Sequence, residues 1–455
     1  MRFRTELLVP PMHTAVADGR QMRDMDGRSV IDIKWSEEAG VGCTRKCLYR
    51  GDGAHFTMED GVDEDRVISY RVNDIHLYSI FDGHDGSKAS QFAAQQFPLE
   101  LLLGQLEGPI DDEEVRNVVS NAFLMVEEKF FDSLEESASP PYNATGPFSP
   151  KTRPGKNDTV VPNPMAGGTT AVMAIYCHGK LYFAHCGDTV AVLCYLKPNG
   201  ELTARTVGIQ HNIDSDDEAL RLSLLGLDVN ELKQRQPLKL TRCIGNYALK
   251  KQYQTFDILR PAVNSPIICD PEIIGGLPIN ANYRGFIYLM SSGLYKSWYE
   301  CSGSENVEED IAKMIATQLC SDKSLHDVAQ AVLEEVCSRH AAAYAAGKDF
   351  FRREEMTLLI RNFGLDRSDV QPSTPPPRIA SDLGFPSAAL FNPGLRRSAS
   401  EQLTETVETD ADSLSPPILR PAELDAEGFE YIDPYVDFAE LASVDTDFEW
   451  TDSDE

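Results

Sequence analysis

Six short stretches of the chain are almost continuously apolar: HLYSIF (76–81), TTAVMAIYC (169–177), KLYFAHC (180–186), VAVLCYL (190–196), GFIYLMSS (285–292) and MTLLIRNF (356–363). Each is rich in β-branched or aromatic residues and bounded by Gly, Asn or Asp. That pattern predicts strands. CHGK (177–180) reads as a hairpin turn between two of them. Other stretches repeat apolar residues every three or four positions and predict helices: 87–106, 111–134, 306–320 and 324–347. The second follows acidic residues suited to a helix start. Strands in hairpin order, with helices in consecutive pairs, predict antiparallel sheets covered by helices rather than alternating βαβ units.

Composition changes along the chain divide it further. Residues 1–27 read as a loose lead-in, and 28–364 as one globular α+β domain. Positions 136–166 are rich in Pro, Ser and Asn and read as a loop insertion into that domain. Residues 365–432 are Pro- and Ser-rich and acidic, and are expected to be a disordered linker. From Glu401 to Glu455 there are 18 acidic residues against one basic residue, Arg420, so most of the net charge of −30 sits in this tail. That charge argues against nucleic acid or an anionic membrane as partner.

Ten cysteines occur without paired CxxC spacing and read as free thiols of a reducing compartment. No apolar run is long enough to cross a membrane. No apolar leader is visible at the N-terminus. The expected location is cytoplasmic.

Near the end, DPYVDFAELASVDTDFEW (433–450) places Tyr435, Phe438, Leu441 and Ala442 at i, i+3, i+6 and i+7, near one face of a helix begun by Asp433 and Pro434. Such a helix either docks in a partner's groove or folds back on its own domain. The acidic end, 451–455, follows it. LRRSAS (395–400) sets two arginines before Ser398 and Ser400. It reads as a basophilic kinase site or as a solvated basic patch.

The strand HLYSIF runs into FDGHDG (81–86), which alone could be no more than a turn. Further stretches follow it in fixed order: GGTTAVMAI (167–175), LYFAHCGDTVAVL (181–193), LTRCIGNYALK (240–250), GFIYLMSSGLYKSW (285–298) and EEMTLLIRNF (354–363). Over about residues 40–364 this series resembles the metal-dependent protein phosphatases of type 2C. Their pattern runs DGHxG, SGTTA, LxxANxGDSR, RxxGD, a strand ending in DG, and DNxT. The resemblance implies a sandwich of two antiparallel sheets between pairs of helices. It also implies two divalent ions held by oxygen ligands, which activate a water for attack on phosphorus.

Carried over residue by residue, Asp82 matches the metal-bridging aspartate and Gly83 the position whose carbonyl binds metal. His84 matches the general acid. Asp188 matches an acidic position, with Val190 where Arg is usual. Ser292 stands where a ligating Asp is expected, and a hydroxyl cannot supply that anionic ligand. Glu354 and Glu355 replace an Asp and an Asn, and Asn246 replaces an Asp. The first acidic motif follows the strand GVGCTRKCLY (40–49) and has two registers, Asp52 in RGDG or Asp60 in MED. The strand ends early for the second, so Asp52 is preferred; His55 takes the Arg position. The resulting site is degenerate, with a vestigial His84. At most one weak Mn or Mg ion is expected, at Asp82, Gly83 and Glu354, and no cofactor is required.

LELLLGQL (99–106), RLSLLGLD (221–228), SGLYK (292–296), EMTLLIRNFG (355–364) and PYVDFAE (434–440) are similar to a narrower group. These are the phosphatase-like proteins that bind and activate a TGF-β-activated kinase. The chain keeps Asp82 and His84, which the vertebrate form has substituted, and has Leu441 where that form has an aromatic. An invertebrate relative is therefore expected. The resemblance implies a kinase-docking helix with Tyr435, Val436, Phe438 and Leu441 as contacts. It further implies a recruitment domain for ubiquitin-linked factors or a stress-activated MAP kinase, in stress or innate immune signalling. The readings set against it are an active Mn- or Mg-dependent Ser/Thr phosphatase and a phosphoprotein-binding module.

Overall fold

The computed structural model describes residues 20–23, 29–35, 38–49, 55–57, 63–108, 110–138, 167–197, 202–235, 238–280, 283–321, 323–348, 350 and 352–365. Two antiparallel sheets lie face to face. The larger runs in the order β1 (Arg20–Arg23), β2 (Ser29–Trp35), β6 (Arg66–Val72), β7 (Ile75–His84), β8 (Gly168–Cys177), β9 (Lys180–Cys186) and β13 (Glu272–Pro278), with β12 (Ile244–Gly245) paired to β8. The smaller runs β11 (Leu202–Val207), β10 (Val190–Leu196), β14 (Gly285–Met290), β16 (Met356–Phe363) and β3 (Ala39–Thr44). A short third sheet joins β15 (Arg352–Arg353), β4 (Cys47–Tyr49) and β5 (His55–Thr57).

The six apolar stretches are strands because each buries both faces, alternating between two cores. Along β7, Leu77 and Phe81 pack with helices α1 (Lys88–Leu101) and α2 (Asp112–Ala138). Tyr78 and Ile80 instead face the second sheet, in a cluster with Val172, Ala174, Ile287, Leu289 and Leu359. On the far side Tyr288, Met290, Leu358 and Ile360 pack under α6 (Ser292–Ser302), α7 (Val307–Leu319) and α8 (Leu325–Ala345). The order is helices, sheet, sheet, helices, as the resemblance implied, except that three helices rather than a pair cover the second sheet.

Local chemistry fixes several boundaries. Asp111 caps α2 by accepting the N–H groups of Glu113 and Glu114, while the Glu114 carboxylate accepts the Asp111 N–H at 2.9 Å. Ser324 and Asp327 form the same reciprocal cap on α8. The β8–β9 turn is made by His178 and Gly179, both at positive φ, the geometry of a two-residue hairpin.

Four local expectations need correction, the first being the loose lead-in at 1–27, part of which is strand β1 of the larger sheet. GVGCTRKCLY is not one strand: β3 joins the smaller sheet and β4 the short one, with a break at Arg45 and Lys46. The strand in GFIYLMSS stops at Met290, and Ser291 is the N-cap of α6, so SGLYKSW is helical. Between β11 and β13 lie α3 (Asp216–Leu224), α4 (Val229–Arg235) and α5 (Tyr247–Lys251), short helices around their own apolar cluster. Glu218 pins that unit: fully buried, it accepts from Arg221 at 2.8 Å and Arg242 at 2.6 Å.

All ten cysteines carry free thiols. Among the described residues no helix is long and apolar enough to cross a membrane. Asp52, Asp60, nearly all of the 136–166 insertion, and everything after Leu365 lie outside the described residues. The latter includes Ser398, Ser400, Tyr435, Val436, Phe438 and Leu441.

Candidate functional site

Asp82 continues the face of β7 that carries Tyr78 and Ile80, so the strand's own periodicity delivers its carboxylate into the gap between the sheets. Across that gap, α6 begins. Its first residue, Ser292, donates its backbone N–H to Asp82 Oδ2 at 2.7 Å and its hydroxyl to the same oxygen at 2.6 Å. Asp65, at the foot of β6, is buried and hydrogen-bonded with Asp82, and its Oδ2 accepts the Thr357 hydroxyl at 2.6 Å. Glu355, at the start of β16, accepts the Glu64 N–H at 2.8 Å. Glu64 in turn accepts from Gly86 N–H at 2.8 Å and pairs with Lys46.

Two glycines allow this packing by close approach. A Cβ at Gly83 would sit 2.4 Å from the Glu64 carbonyl oxygen, and one at Gly293 would sit 1.9 Å from that of Glu355.

The enclosed carboxyls hold on to protons. Burial pushes Asp65 well above the usual carboxylate range, and the charges of Asp82 and Glu355 add to it. Burial also raises Asp82, although the two Ser292 donors oppose the shift. Glu355 is pushed up to about 7, chiefly by burial. Glu354 goes the other way. Burial works against its charge, but Arg352 at 3.0 Å and Lys296 at 3.6 Å outweigh it, with Lys46 adding, and its carboxyl is held below its ordinary value.

His84 is buried, with Nε2 3.2 Å from Asn246 Oδ1. Burial pushes its pKa down to about 3. A neutral imidazole at physiological pH has no imidazolium proton to give to a leaving alkoxide.

The residue types can be tested against the two ions that the resemblance implies. A bridging carboxylate must offer free lone pairs to both ions. Asp82 Oδ2 already accepts two hydrogen bonds from Ser292, and Ser292 supplies a donor where a third carboxylate is needed. Glu354 faces two cationic side chains. Among the described residues no three His, Cys, Asp or Glu side chains are grouped so as to hold a metal. The described residues do not fit a two-ion centre.

The protein phosphatase 2C family matches residues 47–343, well over half of the chain. The chain belongs to that family. It is 24% identical over 344 residues to the Caenorhabditis elegans TGF-beta-activated kinase 1 and MAP3K7-binding protein 1, covering 71% of this chain and 80% of that protein. It is 26% identical over 201 residues to the human integrin-linked kinase-associated serine/threonine phosphatase 2C, covering 44% of this chain and 45% of that protein. Among solved structures, a C. elegans sex-determining protein aligns at a TM-score of 0.47 with 18% identity, over 73% of this chain and 66% of its own.

Within this protein phosphatase 2C frame, the structure brings Asp82 and Ser292 together, with Asp65 beside Asp82 and Glu355 acting on Asp65. It sets Glu354 against Lys296 and Arg352 instead. Asp188 lies in the β9–β10 turn, directly before Thr189, whose carbonyl accepts from His185. The carboxylate that faces Asp82 from the neighbouring strand is Asp65, which the sequence reading did not weigh beside Asp52 and Asp60. Its signal is visible in hindsight: Asp63-Glu64-Asp65 stands directly before the apolar alternation of β6, whereas Asp52 and Asp60 do not abut that strand.

Proposed function

We propose that this protein is a non-catalytic regulatory subunit, a pseudophosphatase that binds and activates a TGF-β-activated-type kinase of the MAP kinase kinase kinase class. The observation that carries the first half is the Ser292 clasp on Asp82 Oδ2, which engages with hydrogen bonds an oxygen of the carboxylate that would have to hold the metal. Neutral His84 and the cation-matched Glu354 support the same reading. At most one weakly held Mn or Mg ion belongs to such a site, and none is required.

The second half rests on similarity to the C. elegans kinase-binding protein and on the 433–450 segment, whose Tyr435, Val436, Phe438 and Leu441 would bury against the kinase. Binding that favours the kinase's active arrangement would promote its autophosphorylation. The globular domain would serve as a platform for a stress-activated MAP kinase or ubiquitin-linked factors in cytoplasmic stress or innate immune signalling.

Kinase capture tests the reading. The full chain should retain a TGF-β-activated kinase catalytic domain, and Phe438→Ala should release it. Equal retention by both would sink the docking half. A second reading, an Mn- or Mg-dependent Ser/Thr phosphatase, is favoured by the intact Asp82-Gly83-His84 run and by the similarity to a human serine/threonine phosphatase.

A further inference from the structure

The three most exposed large apolar side chains among the described residues lie together. Leu224 is 77% exposed, Val263 72% and Leu220 60%. Leu220 and Leu224 stand at i and i+4 on α3, one helical turn apart on the face opposite the buried Glu218 and Leu222. Val263 is fastened beside the end of that helix, its N–H donating to the Leu225 carbonyl at 3.0 Å. Apolar side chains grouped this way on a surface mark a site of contact.

The surrounding cations are already matched. Arg221 pairs with Glu218 at 2.8 Å, Lys233 with Asp214 at 3.6 Å, Arg235 with Glu231 at 3.6 Å, and Arg260 with Asp257. The face therefore selects an apolar occupant rather than a charged one.

The chain itself carries such an occupant. The stripe Tyr435, Val436, Phe438 and Leu441 is apolar at helical spacing, and the tail that bears it is otherwise dominated by acidic and polar residues. Seventy positions separate Leu365 from Tyr435. Extended, they span on the order of 200 Å, so the stripe can reach any face of the domain. Tethering makes the encounter intramolecular and raises the local concentration of the stripe over that of a free peptide.

We infer that the 433–441 stripe docks on the Leu220–Leu224–Val263 face of its own domain. This rests on the reading of the stripe as a docking helix, and it makes that helix a shared ligand. The domain and the kinase would then compete for Phe438.

Hydrogen exchange on the full-length chain tests this without any kinase present. Phe438→Ala should speed exchange severalfold across 220–225 and 262–264. Leu224→Glu, a surface change, should speed exchange severalfold across 433–441. Both effects should be the same at low and high protein concentration. Failure of either variant to change the other segment overturns the inference. Protection that grows with protein concentration also overturns it, in favour of a second copy as occupant. Because kinase is absent from the readout, loss of the kinase-binding reading and loss of self-docking are separate results.

Discussion

Ser292 donates both its backbone N–H and its hydroxyl to a single oxygen of Asp82, at 2.7 and 2.6 Å. A carboxylate in the place of Ser292 would turn that attraction into repulsion unless a cation lay between the two. Ser292→Asp is therefore expected to destabilise the chelator-treated protein by about 3 kcal/mol, the scale for an uncompensated buried charge. Millimolar Mn should restore most of that loss. Thermal melts with and without Mn check it: the Mn-induced rise in Tm should be larger for the variant than for the native chain. Equal responses would contradict the account.

Glu355 gives the site a pH signature. Its carboxyl is pushed from an ordinary 4.5 up to about 7 in the folded chain, chiefly by burial. Between those values the folded state keeps a proton that the unfolded state has released. Its contribution to stability is thus full below about 4.5 and is lost as pH rises through 7. Glu355→Gln has no such term. Relative to the native chain, the variant should gain on the order of 2–3 kcal/mol between pH 4.5 and pH 8. Denaturant titrations at the two pH values read this directly, and a pH-independent difference would rule it out.

Much of the fold was legible because its strands bury both faces. The runs at 76–81, 169–177 and 285–290 carry apolar side chains for two cores at once, and no other element explains so short an unbroken run. SGLYKSW was harder to read because a buried strand and an apolar-faced helix meet there without a glycine or proline between them; the break is at Ser291, where the chain turns to cap α6. The partners of Asp82 were legible only in part. Ser292 follows from its place after the strand, whereas the pairing of Asp65 with Asp82 depends on β6 and β7 lying side by side, with Arg66 opposite Phe81. The unit around α3 was hidden because its helices are too short for a periodic signal and are held by Glu218, a charge that sequence patterning assigns to the surface.

Glu218 is accordingly a sensitive position. It is buried and accepts from Arg221 and Arg242 together. Its removal leaves two guanidinium groups without their shared carboxylate, and Glu218→Ala should cost about 3–5 kcal/mol. Chemical denaturation measures the loss, and exchange across 208–268 should rise first. A change under about 1 kcal/mol would show the fork to be dispensable.

Phe438 is the expected anchor of the kinase contact. Phe438→Ala should weaken binding to the kinase catalytic domain by about 2 kcal/mol or more, as truncation of a buried aromatic does at a hot spot. Titration calorimetry with the full-length chain provides the measurement, and an unchanged affinity would remove Phe438 from the interface.

The central claim is that this protein phosphatase 2C domain regulates by binding and does not hydrolyse phosphate esters. Mn-dependent release of phosphate from a phosphorylated peptide, with the native chain beside Asp82→Ala, tests it most directly. The account predicts that both stay at background while both remain folded. Turnover by the native chain that disappears in Asp82→Ala would contradict it, and would mean that Ser292 is compensated and the site is alive.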